Sequence, residues 1–362
     1  MPIQLKKIKG HEYLYFQDSV TLNGKTKVFS TFFGRKDFEN NLKNEFFDKS
    51  KKHTDKILKW RIKVDNYNFE NKYNINFKAL EAIKHYYDFL LNNLTDNEQK
   101  EFQEAFYIRY VFGTTAIEGN TYTENETGKL LVDELTTNNK TLNEANEIMN
   151  YRDVREFIKQ YDRPTITQQF IKNTNKLLMK GIRRANKKPF NAGEYRTSNS
   201  RLWGTEFRPC APELIELKIR NIIEEYERGL KNKIYPVELA AIFHQKFEEI
   251  HPFEDGNGRT GRELLNFILE RNGFPPIYIL PNQRSDYLNA LEAGNSENFV
   301  PLIEFIINRI VATFIYIISK NSWLKDSLTS KETTELITEI DDTRLTNIMS
   351  VIQQITNLKE LP

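Results

Sequence analysis

Two tetrapeptides commit this chain to helix before anything else in it is read. Thr123-Glu124-Asn125-Glu126 and Thr141-Leu142-Asn143-Glu144 each place threonine where a helix needs an N-cap and glutamate three residues on. That pairing satisfies two backbone N–H groups that the first turn would otherwise leave bare. Pro164, Pro212 and Pro236 precede further periodic apolar runs, and proline is tolerated in a first helical turn. Gly273, followed by Pro275-Pro276, closes a helix that starts near Gly256. Two exceptions to helix are expected. Residues 13–20 and 27–33 are aromatic and β-branched around Asn23-Gly24, which predicts an N-terminal β-hairpin. Residues 193–209 alternate polar and apolar residues and read as a short exposed hairpin. The fold class is therefore mainly α.

Size and composition bound the rest. A chain of 362 residues, 39% hydrophobic and 28% charged, builds a substantial core and is not a disordered segment. Its 52 Lys and Arg against 50 Asp and Glu leave a net charge of +2, so no broad electrostatic field favours nucleic acid or a membrane surface. The densest basic run, residues 51–63, holds six Lys or Arg and one Asp, and reads as the solvated face of an amphipathic helix. One cysteine, Cys210, rules out an internal disulfide framework. With no apolar signal-peptide stretch at the N-terminus, a cytoplasmic protein is expected. Residues 300–318 are apolar but interrupted by Glu304, Asn308 and Arg309, and are expected to form a buried core helix rather than a membrane span.

The chemistry concentrates in residues 251–262, HPFEDGNGRTGR. Gly256 and Gly258 flank Asn257 at a helix start, where glycine admits close backbone approach and free N–H groups favour an anion. Arg259 and Arg262 lie three apart, on one helical face, and guanidinium suits phosphate oxygens. Asp255 is placed to ligate a hard cation such as Mg²⁺, and His251 is a candidate general base. Base, metal carboxylate, phosphate cradle and two arginines together point to phosphoryl or nucleotidyl transfer. A Walker A loop is excluded because no lysine stands here, and His244 with His251 forms no HExxH zinc pattern.

All nine fixed positions of this dodecapeptide match the motif of the Fic family, which the chain resembles over about residues 100–315. Residues 114–120, TTAIEGN, resemble that family's inhibitory motif. Residues 193–209 are similar to its target-binding flap, and residues 284–287 with Asn295 to the part that closes over adenosine. The resemblance implies a Fic-type helical bundle with a β-hairpin flap. It implies a protein adenylyltransferase that moves AMP from ATP to a Ser, Thr or Tyr hydroxyl of a target protein. In it His251 is the base and Asp255 holds Mg²⁺. The nucleotide sits on Gly256, Asn257, Gly258, Arg259, Thr260, Gly261 and Arg262, enclosed by Trp203, Gly204, Thr205, Tyr287, Leu288 and Asn295. Glu118, on an inhibitory helix at about residues 103–120, would make a bidentate pair with Arg262 where the γ-phosphate belongs. The same carboxylate could activate water and so remove AMP. Asn175 departs from the histidine many members carry there, with packing as the expected consequence. A homodimer is also expected from the resemblance.

The implied organisation is an N-terminal β-hairpin and helical region over 1–95, the transferase domain over 96–320 with its flap at about 196–208, and a helical tail over 321–362. That tail is short for an appended winged helix. The alternatives are the same fold using another donor, such as UMP, phosphocholine or phosphate, or a nucleotide-sensing or DNA-binding regulator. Arg259 speaks against the phosphate-transferring branch, which carries lysine at that position.

Overall fold

The computed structural model describes residues 3–22, 24–35, scattered positions between 52 and 91, and residues 96–163, 165–183, 191–199 and 208–320. The chain divides into two compact units, Met1–Glu98 with Phe314–Pro362, and Gln99–Thr313. The expected helical tail, residues 321–362, lies outside the described residues.

In the first unit, β1 (Ile3–Ile8), β2 (His11–Leu22) and β3 (Lys25–Arg35) form an antiparallel sheet in the order β1-β2-β3. The expected hairpin is β2–β3. Leu22 pairs with Lys25, leaving two residues for the turn, and Gly24 takes a φ of 72° as that turn requires. Asn23 is outside the described residues. The additional strand β1 joins through Lys9 and Gly10, both at positive φ. Lys52, Lys56, Lys59 and Lys63 are exposed, whereas His53, Ile57 and Arg61, four apart, are buried. That spacing marks the buried face of a helix, and Ile57 lies with Val20 and Phe29 of the sheet.

The second unit is a helical bundle. In chain order its helices are α1 (Asp96–Ala116), α2 (Glu124–Asp133), α3 (Leu142–Gln160), α4 (Gln168–Leu178), α5 (Ile215–Lys231), α6 (Pro236–Ile250), α7 (Asn257–Arg271), α8 (Arg284–Gly294) and α9 (Val300–Lys320). Both capping boxes form: Thr123 starts α2 with Glu126, and Thr141 starts α3 with Glu144. Pro236 occupies the first turn of α6, and Gly273, at φ 79°, follows the end of α7. Pro212 opens a short 3-10 turn ahead of α5. By length and composition α9 could cross a bilayer, and 61% of its most apolar window is buried in the fold. Leu302, Ile303, Ile306, Ile307 and Ile310 form that buried stripe.

Helix α7 is the centre of the bundle. It packs against α6 and α4, while α5 and α8 back α6 and α3 backs α4. Its residues from Arg259 to Leu269 are buried on every side, so each polar group there needs a partner inside the protein. Asn266 meets this by exchanging hydrogen bonds with the backbone of Ile277 at 3.0 and 2.8 Å. On the α4 side, Phe170 and Phe267 meet with ring centroids 4.7 Å apart, and Tyr161 and Phe157 extend the aromatic cluster. Each fully buried ring of this kind contributes roughly 2–3 kcal/mol. The core thus holds rigid the helix on which the charged motif sits.

Candidate active site

Residues 251–256 link two packed helices, and their backbone is bent to do so. Helix α6 ends at Ile250, and His251 follows in the left-handed region at φ 49°. Gly256, at φ 77°, then caps α7 without a side-chain hydrogen bond. Asn257 turns its side chain back into this loop. Its Oδ1 accepts from the Phe253 N–H and its Nδ2 donates to the Phe253 carbonyl, both at 2.8 Å. The expected role of Asn257 toward phosphate therefore falls to its backbone, since its amide is spent on the loop. Any Cβ at Gly256 would fall 2.6 Å from the Met179 sulfur, which accounts for glycine there.

His251 is held in place by Arg196. That buried guanidinium donates to the carbonyl of His251 at 2.8 Å, of Ser198 at 2.9 Å and of Cys210 at 2.5 Å. The Arg196 N–H donates to the Pro252 carbonyl at 2.9 Å. Burial, with the Arg196 charge added, pulls the His251 pKa down to about 4, so its imidazole is neutral at ordinary pH.

Asn175 is more than a packing residue. Its Nδ2 donates to the Asp255 carbonyl at 3.0 Å and to the Thr260 hydroxyl at 3.1 Å, and its Oδ1 accepts from the Gly193 N–H at 2.9 Å. One side chain ties the motif loop, α7 and the segment leading toward residues 196–208. Neither Arg196 nor Asn175 was legible as an anchor in the sequence, because most of their partners lie far along the chain.

Arg262 and Glu118 meet. Arg262 Nη2 donates to Glu118 Oε1 at 2.7 Å and to the Thr114 carbonyl at 3.0 Å, and Nε donates to the Thr114 hydroxyl at 2.7 Å. The pair is single-contact rather than bidentate, because Thr114 takes the other guanidinium edge. Glu118 also lies in the turn after α1, not within a helix spanning 103–120, since α1 ends at Ala116. Burial alone would raise its carboxyl pKa, but Arg262, with Arg259 and Arg284 behind it, outweighs this and leaves it below the ordinary value. The carboxylate covers the first turn of α7: a Cβ on Gly258 would fall 2.6 Å from Glu118 Oε1. A second α1 contact runs from the Tyr110 hydroxyl to Glu263 at 2.7 Å.

Arg259, with 5% of its side chain exposed, pairs with Glu147 at 3.1 Å and with Asp255 at 3.3 Å. Asp255 Oδ1 also accepts from the Gly256 N–H at 2.6 Å. Gly261 lies at the α6–α7 crossing beneath Glu248, whose carboxyl burial pushes up to about 8. The Gly261 carbonyl accepts from His244 Nδ1 at 3.0 Å, so His244 Nε2 accepts from the Tyr287 hydroxyl at 2.7 Å. Tyr287, expected against the nucleoside, is thus 2% exposed with its hydroxyl committed to His244. Leu288 is exposed, and Asn295 accepts from Gln245 at 3.0 Å. Trp203, Gly204 and Thr205 lie outside the described residues, as does the part of the expected flap at residues 200–207.

Comparisons with known proteins bear on the family likeness and the fold. Residues 165–269 match the Fic/DOC family. A curated relative, the protein adenylyltransferase fic-1 of Caenorhabditis elegans, is 31% identical over 206 residues, 55% of this chain and 39% of that protein. The protein adenylyltransferase Fic of Nematostella vectensis is 30% identical over 244 residues, 63% of this chain and 56% of that protein. Among solved structures, a Fic domain containing signaling protein from Bacteroides thetaiotaomicron superposes with a TM-score of 0.60 at 26% identity, covering 67% of this chain and 96% of that one. Fic-1 from C. elegans gives 0.59 at 26% identity, covering 70% and 73%.

Proposed function

From the Fic domain that this chain carries, with its core at residues 165–269, we infer that it is a protein adenylyltransferase. The chain spans 39% to 56% of the curated adenylyltransferases named above, whose activity is carried to this chain as part of the proposal. One observation carries the reading. A neutral histidine, its carbonyl held by Arg196, precedes a glycine-flanked helix start that carries two buried arginines.

Such a site suits transfer from a nucleoside triphosphate. First-turn N–H groups at a helix start such as that of α7 can receive an anion, and the helix end adds positive potential. His251 takes the proton of a target hydroxyl, whose oxygen attacks the α-phosphorus of ATP. A phosphoester to AMP forms, the bond to pyrophosphate breaks, and the proton remains on His251. Backbone N–H groups and the arginines offset charge as it grows on the phosphates.

The donor set also fits Mg²⁺. Among the described residues no cluster of three metal-ligating side chains occurs. A single carboxylate, Asp255, suits an ion that takes most of its oxygens from phosphate and water. Asp255 is 39% exposed, and only its Oδ1 is engaged among the described residues. Bound there, Mg²⁺ would neutralise phosphate charge.

Glu118 makes the resting state inhibited in this reading. Its carboxylate occupies Arg262 and covers Gly258, where a triphosphate needs room and positive charge. Mass spectrometry of the purified protein after incubation with ATP and Mg²⁺ tests both statements. Glu118→Gly gains AMP, wild type gains little, and Glu118→Gly with His251→Ala gains none. Equal modification of wild type and Glu118→Gly would remove the inhibition, and modification without His251 would remove the mechanism.

A further inference from the structure

Arg259 is buried, and among the described residues its guanidinium donates one side-chain hydrogen bond, from Nη2 to Asp255 Oδ1 of its own loop. Its contact to Asp255 is long, at 3.3 Å, and Asp255 belongs to the exposed side of the site. The closer partner is Glu147 of α3, with Oε1 3.1 Å from Nη1. Burial would lower the Arg259 pKa, but Glu147 in first place, with Glu118 and Asp255, raises it, so the guanidinium stays charged. Arg259 Nε and Nη1 are both buried without a hydrogen-bond acceptor among the described residues, so Glu147 holds the guanidinium as an ion pair and leaves both atoms to donate to a ligand.

Glu147 is itself held. Its Oε2 accepts from Asn120 Nδ2 at 2.8 Å, and Asn120 also donates to the Glu144 carbonyl at 3.0 Å and accepts from the Tyr122 N–H at 3.1 Å. Asn120 is 8% exposed and stands two residues after Glu118. Arg259, Glu147 and Asn120 thus form a continuous relay from the phosphate cradle to the turn that carries the inhibitory carboxylate. Glu147 does not block the cradle as Glu118 does: the atoms nearest a Cβ on Gly258 belong to Glu118 and Arg262.

We propose that Glu147 is a positioning residue that sets Arg259 for the diphosphate of a nucleotide, and that Asn120 sets Glu147. The proposal rests on the nucleotide reading above. It gives the turn two opposed duties. Glu118 withholds one arginine, while Asn120, in the same turn, assembles the other. Releasing the whole turn is then not equivalent to deleting the glutamate, because the relay is lost with the brake. A planar guanidinium presses this requirement, since it recognises phosphate oxygens only in a defined orientation.

Calorimetric titration of the full chain with ADP and with AMP tests this. The reference is Glu118→Gly, compared with Glu118→Gly/Glu147→Gln and Glu118→Gly/Asn120→Ala. The expected result is an ADP Kd raised about tenfold by Glu147→Gln and about threefold by Asn120→Ala, with the AMP Kd unchanged. Glu118→Gly/Glu147→Asp is expected to recover part of the loss. A general loss of packing would weaken both ligands alike, and that outcome overturns the proposal. So does an unchanged ADP Kd, and so does tighter ADP binding, which would make Glu147 a competitor for Arg259. Should Glu147→Gln not fold, Asn120→Ala carries the same ADP-against-AMP contrast. If Glu118→Gly binds neither nucleotide, the nucleotide reading fails first and the proposal with it.

Discussion

His251 gathers three unusual conditions in one residue: a left-handed backbone at φ 49°, a carbonyl gripped by Arg196, and a ring pKa pulled to about 4. Left-handed backbone costs free energy in a non-glycine residue and persists only where neighbours enforce it. The helix pair on either side does so here. The pKa sets the sign of the pH dependence. A proposed base must be neutral, burial and the Arg196 charge both favour the neutral form of His251, and its protonation therefore comes only as pH falls toward 4. In Glu118→Gly, kcat/KM for AMP transfer is expected to stay level down to about pH 5 and then fall with a midpoint near 4. A limb centred at the ordinary histidine value of 6.5 would contradict this placement.

Among elements, α1 leads into the Glu118 turn proposed to inhibit, and its seat is tight. Gly113 lies against the carbonyl of Ile279, so closely that a Cβ would collide with backbone. Tyr110, Thr114 and Glu118 then reach α7 at successive turns, through Glu263 and Arg262. Gly113→Ala must move α1 or the strand-like segment beneath it. It is expected to lower stability by about 1–3 kcal/mol in urea denaturation. Because it unseats the Glu118 turn, self-modification should also rise above wild type. An unchanged unfolding midpoint with unchanged modification would show that the seat is looser than its geometry. Much at this scale was legible in the sequence. Thr123 with Glu126, and Thr141 with Glu144, fold as their spacing states, because a capping box needs only neighbours three residues apart. The end of α1 at Ala116 was less legible, since the backbone of the four residues that follow still bonds locally while the side chains of Glu118 and Asn120 reach α7 and α3.

For the whole molecule, burying a charged motif has a pH signature. Burial pushes Glu248 up to about 8 and Glu263 up to about 7, so the folded chain holds protons that an unfolded one loses near 4.5. Their stabilising contribution is full below that value and is lost as pH rises through 7 and 8. Glu248→Gln keeps the shape without the ionisation. Its Tm is expected to match wild type at pH 5 and to exceed it by a few degrees at pH 8.5. A parallel shift at both values would assign the effect to packing instead. The sequence by itself determined the helical class, the β2–β3 hairpin and the helix starts, among them the glycine-flanked start of α7, because each depends on residues a few positions apart. Only the tertiary structure decided which charges meet. Arg262 finds Glu118 across 144 residues, Arg259 finds Glu147, and Arg196 clasps the backbone of His251. A desolvated charge must be paired wherever packing carries it, and which faces of the bundle come together is a property of the whole core.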